Sequence, residues 1–523
     1  MTWRAEGRKA PVEAPRIGVT QPGPYGPRLA KFTYEMTLQQ VHLRINDAAT
    51  GQPTPVRLRI TDVDGTYYAP HGRLPDFPTG VNQDVGGNIQ IGAKKWCYID
   101  GTCEILLPPG HLQFEIAKGP EYKPINEGIT LLAGKMSMRF TIERWCDMRK
   151  QGWYSGDTRV HFLSPDTALL EGQAEDVAVV NLLALETDER TIPNILSFSG
   201  QSFGRQTPTC GVAVNTFNDG SDLEQLALLH CHRVIYPLSW RSADAATEWT
   251  LADWCDQCHR KKGLVVWAAP RSRPTADTTY GEPLADLILK KIDAFEIAPA
   301  DAGLPSALAD YFLLCDAGLV VPLAGASIQT GERSALGGMR TYVYMPNQDF
   351  TYSHWIDALR AGRTFVSNGP LMHWTIDGNV PATSFGPVPA NGILQIRVEA
   401  KSWASFDRLE LLWNGAVIES SPTTERFPCR AKIQCELPVQ RSGWLAARCV
   451  SDRAHGTDWL PFAHTSAVDV HVNEVPRQAK PEAVRQLLHG LDGMVRMVSD
   501  VPHGKRLYHV VEEARTVLAK KLS

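Results

Sequence analysis

Apolar and polar residues alternate in Val41-His-Leu-Arg-Ile45, Val56-Arg-Leu-Arg-Ile60, Cys103-Glu-Ile-Leu-Leu107 and Leu112-Gln-Phe-Glu-Ile116, the period of half-buried strands. Gly51, Asp64-Gly65, Asp100-Gly101 and Pro108-Pro-Gly110 separate these runs as turns. The spacing predicts a small β-sandwich over 31–147. Residues 1–30 are rich in Pro and Gly and carry no periodicity, which reads as a flexible arm.

Between Gly152 and Trp374 short apolar runs alternate with helical stretches, predicting an α/β domain over 150–374. Its predicted buried strands are Val177–Leu183, Gly263–Ala268, Ala294–Ile297 and Leu319–Leu323. Leu251–Lys262 and Leu284–Lys291 are predicted helices. After Asp377-Gly378 alternation returns in Leu394-Gln-Ile-Arg-Val398, Arg408–Trp413 and Trp444–Val450, predicting a second β-sandwich over 375–473. In the tail, 478–523, Val484, Leu487, Leu488, Leu491 and Val495 fall at helical spacing, so helices are expected to pack back on the body.

A chain of 523 residues exceeds one hydrophobic core and fits this division into several domains. The net charge of −4, with both signs interspersed, provides no basic stripe and argues against a nucleic-acid partner; a small-molecule substrate or ligand stays open. The longest apolar runs, Val177–Leu185 and Gly318–Ala326, fall short of the ~20 residues that cross a bilayer, so an integral membrane protein is not expected. Met1–Pro15 carries Arg4, Arg8 and Lys9 but no apolar core of a signal peptide, which by itself points to the cytoplasm. The eleven cysteines lack the dense spacing of a disulfide scaffold and read as mainly reduced thiols.

The segment Gly152-Trp-Tyr-Ser-Gly-Asp-Thr-Arg-Val-His161 resembles the opening motif, usually Gly-Asp-x-His-x-His, of the CehA/McbA family of metallohydrolases. That family is a branch of the PHP (polymerase and histidinol phosphatase) superfamily. Leu336-Gly-Gly-Met-Arg-Thr-Tyr342 and Trp355-Ile-Asp-Ala-Leu-Arg-Ala-Gly-Arg-Thr-Phe-Val-Ser-Asn-Gly-Pro370 resemble its closing motifs, and Asp293-Ala-Phe-Glu296 is similar to one of its strands. The front β-domain resembles carboxypeptidase-regulatory-like modules. Trp444-Leu-Ala-Ala-Arg-Cys449 and Ala463-His-Thr-Ser466 resemble the rear β-domain of such proteins. The resemblance implies a distorted PHP-type α/β barrel between two β-sandwiches, an extracytoplasmic location, and hydrolysis of an ester, amide or phosphoester bond with a divalent metal (Zn, Mn or Fe).

Read residue by residue, the resemblance puts Arg159 where the first metal-binding His stands and leaves His161 as the second. A guanidinium has no lone pair to give and repels a cation. Gln225, Ala269 and Ser327 also stand where the family has His or Asp, and Val177–Leu185 contains no evident ligand. Glu296 is either a carboxylate ligand or a strand-end Glu facing solvent, and His161 either a ligand or a hydrogen-bonded core imidazole. If the chain is active, Asp157, His161 and Glu296 are the expected catalytic residues, with His161 and Glu296 on the metal. Otherwise it is a non-catalytic binding protein in which Arg159, with Gln225, Ser327 and Arg340, holds an anionic or carbohydrate ligand. Arg340, Arg360 and Arg363 are site-lining or structural cations.

Cys255-Asp-Gln-Cys-His259 matches the attachment signature of a c-type haem, and Cys-x-x-Cys also marks thiol redox or zinc chemistry, although the segment lies in a predicted helix that needs no haem to explain it. A second metal option sets His230 and His232 on one side of a strand, with Cys255 and Cys258 completing a tetrahedral zinc site. The same residues also read as ordinary core cysteines. No Gly-x-Ser-x-Gly elbow accompanies Ser155, and Gly337-Gly338 lacks the Lys and Ser/Thr of a phosphate loop.

Overall fold

Strand pairing at the front follows the alternation of the sequence. The computed structural model describes residues 38–523 except 81, 241–248, 269, 271–279, 299–303, 331–333, 425, 453–459, 474, 476, 499–503 and 523, so the expected arm at 1–30 lies outside the described residues. Strands β1 (Gln39–Asp47), β2 (Val56–Asp62), β3 (Asn88–Ile91), β4 (Lys94–Ile99), β5 (Thr102–Leu107), β6 (Gly110–Ala117), β7 (Ile125–Leu131) and β8 (Ser137–Ile142) form two sheets, β5-β1-β8 and β3-β4-β2-β6-β7. Val41, Leu43 and Ile45 of one sheet pack with Leu58, Ile60, Phe114 and Ile116 of the other, while the residues between them face outward.

The central sheet is mixed. It contains β9 (Trp153–Val160), β10 (Val179–Ala184), β12 (Gly211–Asp219), β13 (Gln225–Leu229), β14 (Leu264–Ala268), β15 (Ala294–Ile297) and β16 (Leu323–Gly325), with the short β11 (Arg205–Gln206) beside β12. Only β13 runs antiparallel inside the run from β9 to β16. Helices α1 (Pro165–Ala174), α2 (Leu251–Arg260), α3 (Pro283–Ile288) and α4 (Leu304–Asp316) are the crossovers. Ser164 caps α1, with Pro165 at its first turn, and Thr250 with Asp253 forms a capping box on α2. The sheet curls into a half-barrel, so that Val160 at the end of β9 bridges Gln329 beyond β16.

Helix α5 (Tyr352–Arg360) plugs this half-barrel. Its Tyr352, Trp355, Ile356 and Leu359 pack against Ala213, Ala227, Ala294 and Ala324, whose small side chains leave room for the large ones. Gly156 is required here, because a Cβ at that position would lie 2.3 Å from the Trp355 ring. The expected strand at Leu319–Leu323 is corrected: α4 runs to Asp316, Gly318 takes a left-handed φ of 76°, and the strand starts only at Leu323. The apolar run spans a helix end and a connector, which periodicity cannot separate from a buried strand.

The rear β-domain continues the same sheet. Beyond β9 come β17 (Arg340–Tyr344) and β18 (Thr364–Ser367); β18 then pairs with β26 (Ala463–Thr465) through Phe365 opposite Thr465. The sheet goes on through β25 (Gly443–Val450) and β22 (Arg408–Trp413) to β23 (Ala416–Pro422), with β27 (Val468–Val472) and β20 (Ser384–Val388) beside it. A three-stranded sheet of β19 (Leu371–Ile376), β21 (Gly392–Ser402) and β24 (Cys429–Val439) completes the sandwich core. Helices α6 (Pro481–Val498) and α7 (Gly504–Ala519) insert Val484, Leu487, Leu491, Leu507 and Val511 into the core around α2, α3 and α4, as the tail's spacing predicts. Among the described residues no helix is long and apolar enough to cross a membrane.

A buried ionic cluster ties the front domain to the half-barrel. Arg144 donates from Nη1 and Nη2 to the two Asp176 oxygens, each at 2.8 Å, and from Nη1 to Glu121 at 2.8 Å. Its guanidinium also lies over the Tyr122 ring and donates to the Tyr122 hydroxyl.

Candidate functional site

The site expected from the sequence sits where the parallel strands end. Along β9 the register against β10 slips by one residue: Asp157 faces Val180, whereas Val160 faces Leu182. This bulge breaks the simple alternation that would put residues 157, 159 and 161 on one side. Arg159 and His161 both reach Phe217 of β12, the guanidinium 5.4 Å from the ring centre and the imidazole edge-on at 5.0 Å. Asp157 turns elsewhere, towards Ser327 and Gly337.

Arg159 Nη2 lies 3.2 Å from Glu296 Oε1, with the two side chains 5% and 0% exposed. Glu296 is therefore not a solvent-facing strand end. It is an internal partner that neutralises the guanidinium. Among the described residues Arg159 Nε is buried without a hydrogen-bond partner, so the fork is not fully used. His161 Nδ1 is 3.4 Å from the Leu183 carbonyl; a carbonyl only accepts, so Nδ1 carries the proton and Nε2 the lone pair. Burial, followed by the Arg159 charge, pushes the His161 pKa down to about 3. The imidazole is neutral at any physiological pH.

Asp157 is a structural hub. Its Oδ1 accepts from the backbone N–H of Arg159 and Ser327, each at 3.1 Å, and its Oδ2 accepts from the Gly337 N–H at 2.8 Å and from the Ser327 hydroxyl. Burial lifts its pKa to about 6 against the lowering effect of those donors. A carboxylate so fully occupied has little capacity left for a metal or a proton relay. Ser327 is thereby part of the framework, and so is Arg340, which donates from Nε to the Gly337 carbonyl at 2.7 Å and from Nη1 to the Glu175 carbonyl at 3.0 Å. Gln225 begins β13 at the same end of the sheet as Arg159, half-buried, with its amide 3.4 Å from Asp219. Ala269 lies outside the described residues.

A divalent cation does not fit these donors. The position holds one neutral imidazole and one carboxylate already paired with a guanidinium, whose charge opposes a second cation. Among the described residues no group of three His, Cys, Asp or Glu side chains converges to hold a metal.

The alternative zinc site is corrected on the same ground. Strand β13 ends at Leu229, and His230 takes a left-handed φ of 59°, so His230 and His232 do not share a strand face. His230 sits 2.9 Å from the Ser353 hydroxyl, while His232 is exposed. Cys255 and Cys258 face the core from α2, and burial raises both thiol pKa values. His259 points away to Asp293 at 2.9 Å. The Cys-x-x-Cys-His segment is thus an amphipathic helix, and its two cysteines are core residues rather than an exposed haem attachment point.

Several residues around the site escape motif reading. Phe217 supports Arg159, and a buried polar triad lies deeper in the half-barrel: Asn181 Oδ1 accepts from the Tyr352 hydroxyl at 2.6 Å and from Asn215 Nδ2 at 3.2 Å. Asn181 Nδ2 in turn donates to the Asp157 carbonyl at 2.9 Å. The available signal was Asn181 in the otherwise apolar strand Val179–Ala184 and Asn215 after the apolar run Val212–Val214, since a polar side chain in a buried strand survives only with partners. No family model, curated protein or solved structure matches this chain.

Proposed function

We propose that the chain is a divergent relative of the CehA/McbA metallohydrolases, its half-barrel a distorted PHP-type barrel, in which an internal ion pair replaces the metal centre. It binds a small ligand at the strand ends and does not hydrolyse it. The observation that carries this reading is the Arg159–Glu296 pair, buried at 3.2 Å where the opening motif has its first metal-binding His. The Arg159 guanidinium, held by one carboxylate oxygen, suits a ligand with an acceptor oxygen, such as a small carboxylate or a sugar.

Metal analysis of the purified protein tests the reading. Protein supplied with Zn, Mn or Fe is expected to retain well under one equivalent after desalting, and to give no turnover of aryl esters or aryl phosphates. Arg159→His, which restores a second imidazole and releases Glu296, is expected to raise metal retention. Stoichiometric metal in the parent protein that is lost in His161→Ala would overturn the proposal.

A further inference from the structure

We propose that Cys231 and Cys258 are an oxidisable pair that closes into an intrachain disulfide. All eleven cysteines are free in the structure, and the Sγ atoms of these two lie 3.3 Å apart, one just beyond β13 and the other in the last turn of α2. The chain leaves space for the pair at a third point. A Cβ on Gly263 would lie 2.4 Å from the Cys231 sulfur and 2.5 Å from the Cys258 sulfur. Gly263 also ends α2, its N–H donating to the Cys258 carbonyl at 2.9 Å after Lys262 takes a left-handed φ of 59°. The Cys-x-x-Cys spacing suggests Cys255 as the partner of Cys258. Cys255 instead lies among Asp286 and Glu282, and the sulfur that meets Cys258 comes from another element.

The oxidant is a peroxide. The Cys231 sulfur attacks one oxygen of hydrogen peroxide, the O–O bond breaks, and a sulfenic acid and one water form. The Cys258 sulfur then displaces the sulfenic oxygen, which leaves as a second water, and the S–S bond closes with the loss of one hydrogen from each thiol. Both thiols are buried and burial holds the Cys258 pKa high, so the reaction proceeds through local opening rather than at the rate of an exposed thiolate. The pair lies at the end of β13 opposite Gln225, away from Arg159, so oxidation is expected to stabilise the fold without changing the strand-end site.

The experiment treats the full-length protein with hydrogen peroxide, alkylates it in denaturant, digests it without reduction and maps the peptides by mass spectrometry. The expected result is a Cys231–Cys258 cross-linked pair that forms faster in dilute urea, raises Tm by several degrees and is reversed by dithiothreitol. Cys255→Ser keeps the link, and Cys231→Ser abolishes it together with the Tm rise. A Cys255–Cys258 link, or alkylation of both Cys231 and Cys258 after peroxide treatment, overturns the proposal.

Discussion

Two buried ionic clusters lie on either side of β9, and they are built to different standards. At the junction with the front domain, Arg144 meets two carboxylates and a tyrosine. Glu121 there accepts from the Met148 N–H at 2.9 Å and lies 3.2 Å from the Tyr342 hydroxyl as well. At the strand ends, Arg159 meets one carboxylate oxygen at 3.2 Å and leaves its Nε without a partner. A cation that only holds domains together gains from several partners, because each unused donor keeps its desolvation penalty; at the junction Arg149 Nη2, 3.6 Å from Asp176, carries that penalty too, while Arg144 is held by both carboxylates. An under-used guanidinium at the strand ends of a half-barrel is the kind of local inconsistency that functional sites keep.

The largest effect is expected at the junction. Arg144→Met leaves Asp176 and Glu121 buried together with Arg149, 3.6 Å from Asp176, as a remaining cation, and burial, followed by the Asp176 charge, already pushes the Glu121 pKa up to about 7. The loss should be about 3–5 kcal/mol, read as a lower urea midpoint. Arg159→Met removes one side of the Arg159–Glu296 ion pair and should cost about 1–3 kcal/mol. Adding Glu296→Leu removes the other side of the pair, so the double variant should return to within about 1 kcal/mol of the parent. If Arg159→Met costs more than Arg144→Met, or the double variant is worse than either single one, the strand-end pair is the structural cluster and the contrast is reversed.

Much of the fold was legible because strand alternation and helix spacing are local. Val41–Ile45, Arg408–Trp413 and the stripe from Val484 to Leu491 fold as their spacing predicts. The features that decide the site are long-range or depend on one residue. Nothing in Thr158-Arg159 marks the extra residue that turns Asp157 away from Arg159 and His161. The left-handed His230 is equally silent in sequence, yet it separates His230 from His232 and leaves Cys231 to meet Cys258. The pairing of β18 with β26 joins segments about 100 residues apart, so a rear domain read as separate shares its sheet with the half-barrel. The guanidinium at Arg159 was plain in the sequence; its partner Glu296 was visible only as a residue with two possible roles.

The smallest effect expected is a pH dependence that separates the two neighbours in the opening motif. The His161 pKa falls from 6.5 to about 3 on folding, so the unfolded chain binds the proton more tightly. Its stabilising contribution is complete above pH 6.5 and is lost as pH falls through that value towards 3. Asp157 has the opposite sign: its pKa rises from 3.8 to about 6, so its contribution is complete below 3.8 and is lost as pH rises towards 6. Between about pH 7.5 and about pH 5.5, acidification removes on the order of 1 kcal/mol through His161 and returns a smaller amount through Asp157. His161→Gln keeps a side-chain donor for the Leu183 carbonyl but cannot titrate. Relative to the parent, it should therefore gain on the order of 1 kcal/mol over that interval in paired urea titrations. Taking the difference between the two proteins cancels the other buried groups, including Glu121 and Glu282, both raised to about 7. Parallel pH profiles would mean that His161 takes up its proton in the folded state, and that the site is open enough for water, or a cation, to reach it.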